Sequence, residues 1–136
     1  LKDSDLTIKN VGLNPTRRAI VHILQNFGAG VEILNETEEC SEPVGDLRVT
    51  GNLNSNPRND SHVIRGRVIA NLIDEIPILA IFGTQLEKGL EIRDAAELRV
   101  KESDRIKAVV ENLRRMNAEV EEFADGLRVG KSNLQL

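Results

Sequence analysis

A chain of 136 residues is long enough for a domain with a real core, and 40% of its residues are hydrophobic. The net charge of −4 is mild, and the absence of Trp and Tyr removes the aromatic platforms of single-strand binders, so nucleic acid is excluded as the expected partner. The sequence contains no apolar run of membrane-spanning length and no signal-peptide pattern, so we expect a cytoplasmic protein without a membrane partner. Because it contains one cysteine, we expect no internal disulfide and no cysteine-rich metal site.

The predicted elements alternate strands with helices, which indicates an α/β fold with mixed sheets. In the first helix, Asn14 predicts the N-cap, Pro15 the first position and Gly28 the end. Strands are predicted at Leu6–Val11, Gly30–Asn35, Asp46–Thr50, Leu90–Asp94, Ala118–Glu122 and Leu127–Val129. A further short strand is predicted at His62–Ile69, and a polar loop at Asn52–Ser61.

Two further helices are expected in the second half of the chain. Ile76–Phe82 is apolar on all sides and predicts a buried helix that begins near Asp74 or Glu75 and is closed by Gly89. The last helix has its apolar residues at the i, i+3, i+4, i+7 spacing of one face, which are Ile106, Val109, Val110 and Leu113.

The sequence also repeats itself. Leu6–Lys9 resembles Leu90–Arg93, and Ala29–Glu32 resembles Ala118–Glu121. The hairpin segments around Leu47 and Leu127 match in the same way, so each copy predicts strand, helix, strand, turn, strand. The second copy gains residues within Ala95–Lys101, before its helix. A strand-to-helix loop is a common place for a site on a scaffold.

The gained segment leads into a dense run of charges, Glu97 to Arg105. Lys101 and Arg105 are four residues apart and would share a face in the first turn of a helix, where free N–H groups favour a polyanion. The common alternative is a solvated, ion-paired helix start. In the same way, Asp74 is predicted either as an N-cap of the second helix or as a functional carboxylate.

The run Lys101-Glu102-Ser103-Asp104-Arg105, the upstream segment Ile73–Ala80 and the segment Leu6–Arg17 together resemble the 5-enolpyruvylshikimate-3-phosphate synthase family. The resemblance covers nearly the whole chain. It implies repeated βαβαββ units with mixed sheets and buried helices. It also implies transfer of the enolpyruvyl group of phosphoenolpyruvate to the 5-hydroxyl of shikimate-3-phosphate, with no metal and no organic cofactor.

The resemblance also assigns roles to single residues. It implies that Asp74 binds the hydroxyls of shikimate-3-phosphate and acts as a base, and that Glu102 delivers a proton to phosphoenolpyruvate. It implies that Lys101 and Glu97 contact shikimate-3-phosphate, with the residue type at Glu97 variable among relatives. Arg105 matches the arginine that holds phosphoenolpyruvate, and its fork suits a carboxylate or phosphate.

Family members are much longer than this chain and build their site between two domains. We therefore expect residues 1–136 to be one partial domain, about two repeat units from the C-terminal-half domain of a monomeric enzyme, and to be inactive alone. Two alternatives stay open: a relative that acts on UDP-N-acetylglucosamine, and a non-catalytic binding or scaffold domain with the same fold.

Overall fold

A computed structural model describes residues 3–53 and 62–134, in which strands and helices alternate as predicted. The elements are β1 Asp5–Gly12, α1 Ala19–Asn26, β2 Ala29–Glu39, β3 Glu42–Leu53, β4 Val63–Ile64, a 3-10 helix Gly66–Asn71, α2 Ile76–Gly83, β5 Leu90–Ile92, a 3-10 helix Ala96–Arg99, α3 Arg105–Arg115, β6 Val120–Phe123 and β7 Gly126–Val129. The chain divides into two compact units, 1–60 and 61–136.

Both units build a sheet on the same plan. Unit 1 has the strand order β1-β3-β2, with antiparallel neighbours. Unit 2 has the order β4-β5-β7-β6, in which β4 runs parallel to β5 and the other pairs are antiparallel. Unit 2 therefore runs β–α–β–α–β–β along the chain, and unit 1 carries β–α–β–β. The predicted α/β class with mixed sheets is confirmed.

The sequence repeat is reproduced in the strand register. Leu6 lies opposite Val49 in unit 1, and the matching residues Leu90 and Val129 lie opposite each other in unit 2. The second hairpin obeys the same rule, with the pairs Val31–Val49 and Val120–Val129. A slip of one residue would turn every side chain of a strand to the other face of the sheet. The shared register therefore means that equivalent residues face the same side of the sheet in both units.

The copies differ where the sequence predicts that they differ, between the first strand and the helix. Residues 13–18 connect β1 to α1, whereas residues 93–104 connect β5 to α3. The longer connection contains the 3-10 helix Ala96–Arg99, which stops well short of α3.

The first helix begins later than predicted. The side chain of Asn14 accepts hydrogen bonds from the backbone N–H of Thr16 at 3.1 Å and from its hydroxyl at 2.9 Å. These bonds form a turn, and α1 starts only at Ala19, after an Arg18 that makes no side-chain cap. A short polar side chain stabilises a turn as readily as a helix start, so the pattern at Asn14 placed the boundary too early. Gly28 follows the helix with φ of 85°, as predicted.

The second helix is buried on one face only, which corrects the prediction of a fully buried helix. Ile76, Leu79 and Ala80 are buried, but 55% of Ile78 and 41% of Ile81 is exposed. The helix also ends at Gly83 rather than near Gly89. An apolar composition on all sides does not show which of the faces a neighbour covers.

Two other boundaries were wrong. The strand predicted at His62–Ile69 is limited to Val63–Ile64, because the chain turns at Gly66, whose φ is 79°, into a 3-10 helix. The loop predicted from Asn52 begins later, since β3 continues to Leu53, and residues 54–61 lie outside the described residues.

The core of unit 2 fixes the sheet that carries the long connection. Leu90 and Ile92 of β5 are 1% and 0% exposed, and Leu127 and Val129 of β7 are fully buried. Helix α3 packs its buried face there with Ile106, Val110 and Leu113. Burial of aliphatic side chains on this scale is the main stabilising contribution to such a unit.

A carboxylate braces the frame of unit 1. Asp46 is 8% exposed, and it accepts hydrogen bonds from Lys9 Nζ at 2.7 Å, Asn35 Nδ2 at 2.8 Å and the backbone N–H of Asn10 at 3.1 Å. The bonds from Lys9, Asn35 and Asn10, in that order of effect, lower the pKa of Asp46 to about 2. In unit 2, Asp125 accepts from the backbone N–H of Asp94 in the equivalent place.

We expect Asp46→Asn to reduce the acid sensitivity of the protein. The pKa of Asp46 is about 2 in the folded state and about 3.9 in an unfolded chain, so its contribution is complete above the higher value and is lost as pH falls through the lower one. The free energy of unfolding, measured by urea titration and circular dichroism, should fall less between about pH 5 and pH 2 in the variant than in the parent. Glu38→Gln, an exposed change on β2, is the control, and an unchanged acid response in Asp46→Asn would contradict the prediction.

Candidate functional site

The predicted site residues follow two neighbouring parallel strands. Residues 65–75 connect β4 to α2, and residues 93–104 connect β5 to α3. The carboxyl ends of parallel strands meet at one edge of a sheet, which is where sites gather in α/β folds. All five predicted residues belong to these two connections or to the helix start that follows, namely Asp74, Glu97, Lys101, Glu102 and Arg105.

Asp74 and Arg105 join the two connections directly. Arg105 Nη1 donates to Asp74 Oδ1 at 3.1 Å, and 59% of the Asp74 side chain and 37% of the Arg105 side chain is exposed. The two segments that carry the candidate site residues therefore meet at this contact. The N-cap alternative for Asp74 is wrong, since Glu75 occupies the N-cap position of α2 without a side-chain cap bond.

Lys101 lies in a bend before the helix, which corrects the expected first helical turn. Helix α3 begins at Arg105, because the Asp104 carboxylate accepts the N–H of Lys107 at 2.9 Å and fixes the helix start. The Lys101 ammonium instead reaches back to Glu97 Oε1 at 3.0 Å. Lys101 is the more sheltered partner, with 28% of its side chain exposed against 63% for Glu97.

Glu102 points into solvent beside a cation. Its side chain is 85% exposed, and its Oε2 lies 3.5 Å from Arg105 Nη2. Its own backbone N–H and then the charge of Arg105 lower the pKa of Glu102. Arg105 therefore lies between two carboxylates, Asp74 on one side and Glu102 on the other. This arrangement places two carboxylates around one guanidinium group that is still partly exposed.

Arg99 is a residue for which the sequence predicts no role. Its Nε donates to the carbonyl of Ala124 at 2.8 Å, and its Nη1 donates to Asp104 Oδ2 at 2.8 Å. Nη1 also lies 3.0 Å from Glu122 Oε1, and Nη2 donates to the carbonyl of Phe123. One arginine within a run of charges is indistinguishable from surface charge in a sequence, so no pattern signals these contacts.

A cavity of about 530 Å³ elsewhere in unit 2 does not contain the candidate site. Its walls are mostly long charged side chains, among them Glu87, Lys88 and Lys131. Lining of this kind lacks the apolar surface of a typical small-molecule pocket.

Two further properties concern residues 3–53 and 62–134. In these ranges no helix is both long and apolar enough to span a membrane. In the same ranges, His, Cys, Asp and Glu do not assemble into groups of three or more that would hold a metal ion.

Known proteins resemble this chain throughout its length. The family model of EPSP synthase (3-phosphoshikimate 1-carboxyvinyltransferase) matches residues 1–136. The 3-phosphoshikimate 1-carboxyvinyltransferase of Leptospira interrogans serovar copenhageni is 49% identical over 126 residues, which are 92% of this chain and 27% of that protein. The enzyme of the same name from Bacillus subtilis is 47% identical over 135 residues, or 98% of this chain and 30% of that protein.

Solved structures agree with the sequence comparison. EPSP synthase from Acinetobacter baumannii superposes with a TM-score of 0.84 at 31% identity, covering 96% of this chain and 28% of that one. The chain thus spans between a quarter and a third of the length of the curated relatives it matches. A family match over every residue and an equivalent fold lead to one conclusion: the chain belongs to the EPSP synthase family.

Proposed function

We propose that this chain is part of an enzyme that transfers the enolpyruvyl group of phosphoenolpyruvate to the 5-hydroxyl of shikimate-3-phosphate and releases phosphate. The observation that supports it best is the contact between Asp74 and Arg105, at 3.1 Å. This contact brings the two sequence segments that resemble the family's site into one charged cluster, on a chain that belongs to the family.

The proposed reaction needs two proton-handling groups and several cations. The 5-hydroxyl oxygen of shikimate-3-phosphate bonds to C2 of phosphoenolpyruvate while C3 takes up a proton. The tetrahedral intermediate then loses phosphate as C3 gives a proton back, so the double bond is restored. Positioned carboxyl groups suit both proton transfers, and cations stabilise the phosphate and carboxylate charges.

We assign these tasks to the residues of the cluster. Asp74 orients the hydroxyls of shikimate-3-phosphate and takes the 5-hydroxyl proton, and Glu102 serves C3. Lys101, with Glu97 beside it, contacts shikimate-3-phosphate. Arg105 lies between both acids and holds phosphoenolpyruvate. We propose no metal or organic cofactor, because the overall reaction is redox-neutral and every step is a proton transfer, an addition or an elimination.

The electrostatics of Glu102 support an exchange of protons that depends on the substrate. The backbone N–H of Glu102 and then the charge of Arg105 favour the ionised form of Glu102 and lower its pKa. An anionic substrate that binds Arg105 would offset this positive charge, and a nearby negative charge raises the pKa of a carboxyl group. Binding of phosphoenolpyruvate at Arg105 would therefore raise the pKa of Glu102 and favour the protonated state that a donor to C3 requires.

The site needs cations from the rest of a longer protein. Lys101 and Arg105 are each paired with a carboxylate, and these pairs are open to water. An exposed charge contact contributes only about 1 kcal/mol, which is little for holding substrates with several negative charges. We propose that other parts of a monomeric, cytoplasmic enzyme complete the site, that its partners are these two small molecules, and that neither nucleic acid nor a membrane takes part.

The test is an assay of phosphate release by the full-length protein that contains this chain, with phosphoenolpyruvate and one of two acceptors. We expect turnover with shikimate-3-phosphate and none with UDP-N-acetylglucosamine. The isolated chain 1–136 should give no turnover and at most millimolar binding of shikimate-3-phosphate.

Three outcomes would contradict the proposal. Turnover with UDP-N-acetylglucosamine would assign the protein to the other acceptor. A full-length protein without turnover and without binding would be a scaffold. Turnover by the isolated chain would show that the site needs no completion.

A further inference from the structure

The bend that carries Lys101 and Glu102 has little packing of its own. Val100 is 80% exposed, and the Glu102 side chain is 85% exposed. The rest of the connection is held more firmly, since Ala95, just before the 3-10 helix, and Leu98, within it, are 0% and 1% exposed. Something other than burial must therefore set the path of residues 100–103.

Arg99 anchors the beginning of this bend to the β6–β7 hairpin. All three nitrogens of its guanidinium group donate: Nε and Nη2 to the carbonyls of Ala124 and Phe123, and Nη1 to Asp104, with Glu122 also within 3.0 Å of Nη1. Only 24% of the side chain is exposed. A planar fork with several simultaneous acceptors fixes direction as well as distance, which an ammonium group does not.

Asp104 anchors the end of the bend to the same group. One carboxylate oxygen of Asp104 caps α3 through the N–H of Lys107, and the other accepts from Arg99 Nη1 at 2.8 Å. The ion pair Arg99–Asp104 thus closes residues 100–103 into a short loop. We call this pair and the loop between them the clasp.

We propose that Arg99 is a positioning residue, which holds Glu102 at the proton-transfer geometry through the clasp. The inference rests on the proposed function, because it assigns Arg99 a part in that reaction without contact to substrate. Displacement of a catalytic group by about 1 Å can cost about 100-fold in rate, so a support of this kind has a measurable effect.

The experiment is a double-mutant cycle in the full-length protein, with kcat for phosphate release as the readout. Arg99→Lys keeps the charge and loses the fork. We expect it to lower kcat about tenfold or more when Glu102 is present. In the Glu102→Gln background, the factor by which Arg99→Lys lowers kcat should be at least about fivefold smaller, because the carboxyl group that Arg99 positions is already gone.

Arg93→Lys is the matched control. Arg93 belongs to the same connection and also binds the β6–β7 hairpin, through Asp125 at 3.2 Å and over the ring of Phe123 at 3.9 Å. It lies outside the clasp, so we expect an unchanged kcat. Asp104→Asn opens the clasp from its other end while it keeps an oxygen for the helix cap, and it should show the same dependence on Glu102 as Arg99→Lys.

The cycle separates positioning from stability. A variant that only lowers the folded fraction loses the same factor in both backgrounds, and that result would overturn the inference. An unchanged kcat for both Arg99→Lys and Asp104→Asn would also overturn it, while a low kcat for Glu102→Gln would leave the proposed function intact. A parental kcat for Glu102→Gln itself would contradict the role proposed for Glu102 and, with it, the inference.

Discussion

Glu102→Gln, Asp74→Asn and Lys101→Ala should each lower the turnover of the full-length protein by about 100-fold or more, the usual scale for a positioned acid or base. The two amide variants keep the size of the side chain and remove its ability to transfer protons. Lys101→Ala removes the sheltered cation of the pair with Glu97. The measurement is phosphate release from phosphoenolpyruvate at saturating shikimate-3-phosphate.

The matched control for these variants is the surface pair on α3. Lys107 and Glu111 approach to 3.9 Å at exposed positions of α3, two and six residues after Arg105. Lys107→Ala and Glu111→Gln should therefore leave turnover within about twofold, because exposed pairs contribute little. Near-parental rates for all three site variants would show that the cluster around Arg105 is not the catalytic site.

Gly89→Ala should destabilise unit 2 by about 3 kcal/mol or more, enough to unfold a marginal protein. Gly89 has φ of 68°, and a Cβ atom there would lie 2.0 Å from the carbonyl oxygen of Val129. The left-handed backbone costs an alanine about 1–2 kcal/mol, and the contact adds a forced shift of two backbone segments. Chemical denaturation followed by circular dichroism gives the change in the free energy of unfolding.

Gly66→Ala separates the two causes. Gly66 has φ of 79°, but a Cβ atom there would meet nothing within 4 Å. It should show the backbone cost alone, about 1–2 kcal/mol. If Gly66→Ala and Gly89→Ala were equally destabilising, the close approach of Val129 would add nothing to the backbone cost, and the prediction for Gly89→Ala would be wrong.

The order of strands and helices could be predicted because the sequence contains it in two similar copies. The repeated segments led to the correct order of strands and helix along each copy, and the registers of Leu6 and Leu90 agree with the repeat. The meeting of Asp74 with Arg105 was predictable for a related reason, since both residues follow parallel neighbouring strands.

What could not be predicted depends on partners distant in sequence. The role of Arg99 appears only when the β6–β7 hairpin is brought beside the connection. Asn14 has every local property of an N-cap, yet its side chain bonds Thr16 in a turn. Likewise, the exposure of Ile78 depends on which elements cover α2 and not on the composition of the helix.

The braces at the ends of the first strands have a consequence for how such a protein changes its chemistry. Asp46 binds the backbone N–H of Asn10, and Asp125 binds that of Asp94, so each hairpin is tied to the neighbouring strand near the point where the chain leaves the sheet. Asn10 and Asp94 both have positive φ, at 57° and 60°. These bonds hold β1 and β5 in place whatever the length of the connection that follows each strand. Unit 1 has the shorter connection, and its pair Leu6–Val49 keeps the register of the pair Leu90–Val129 in unit 2, so this junction accommodates connections of different length with the same pairing of the strands before it.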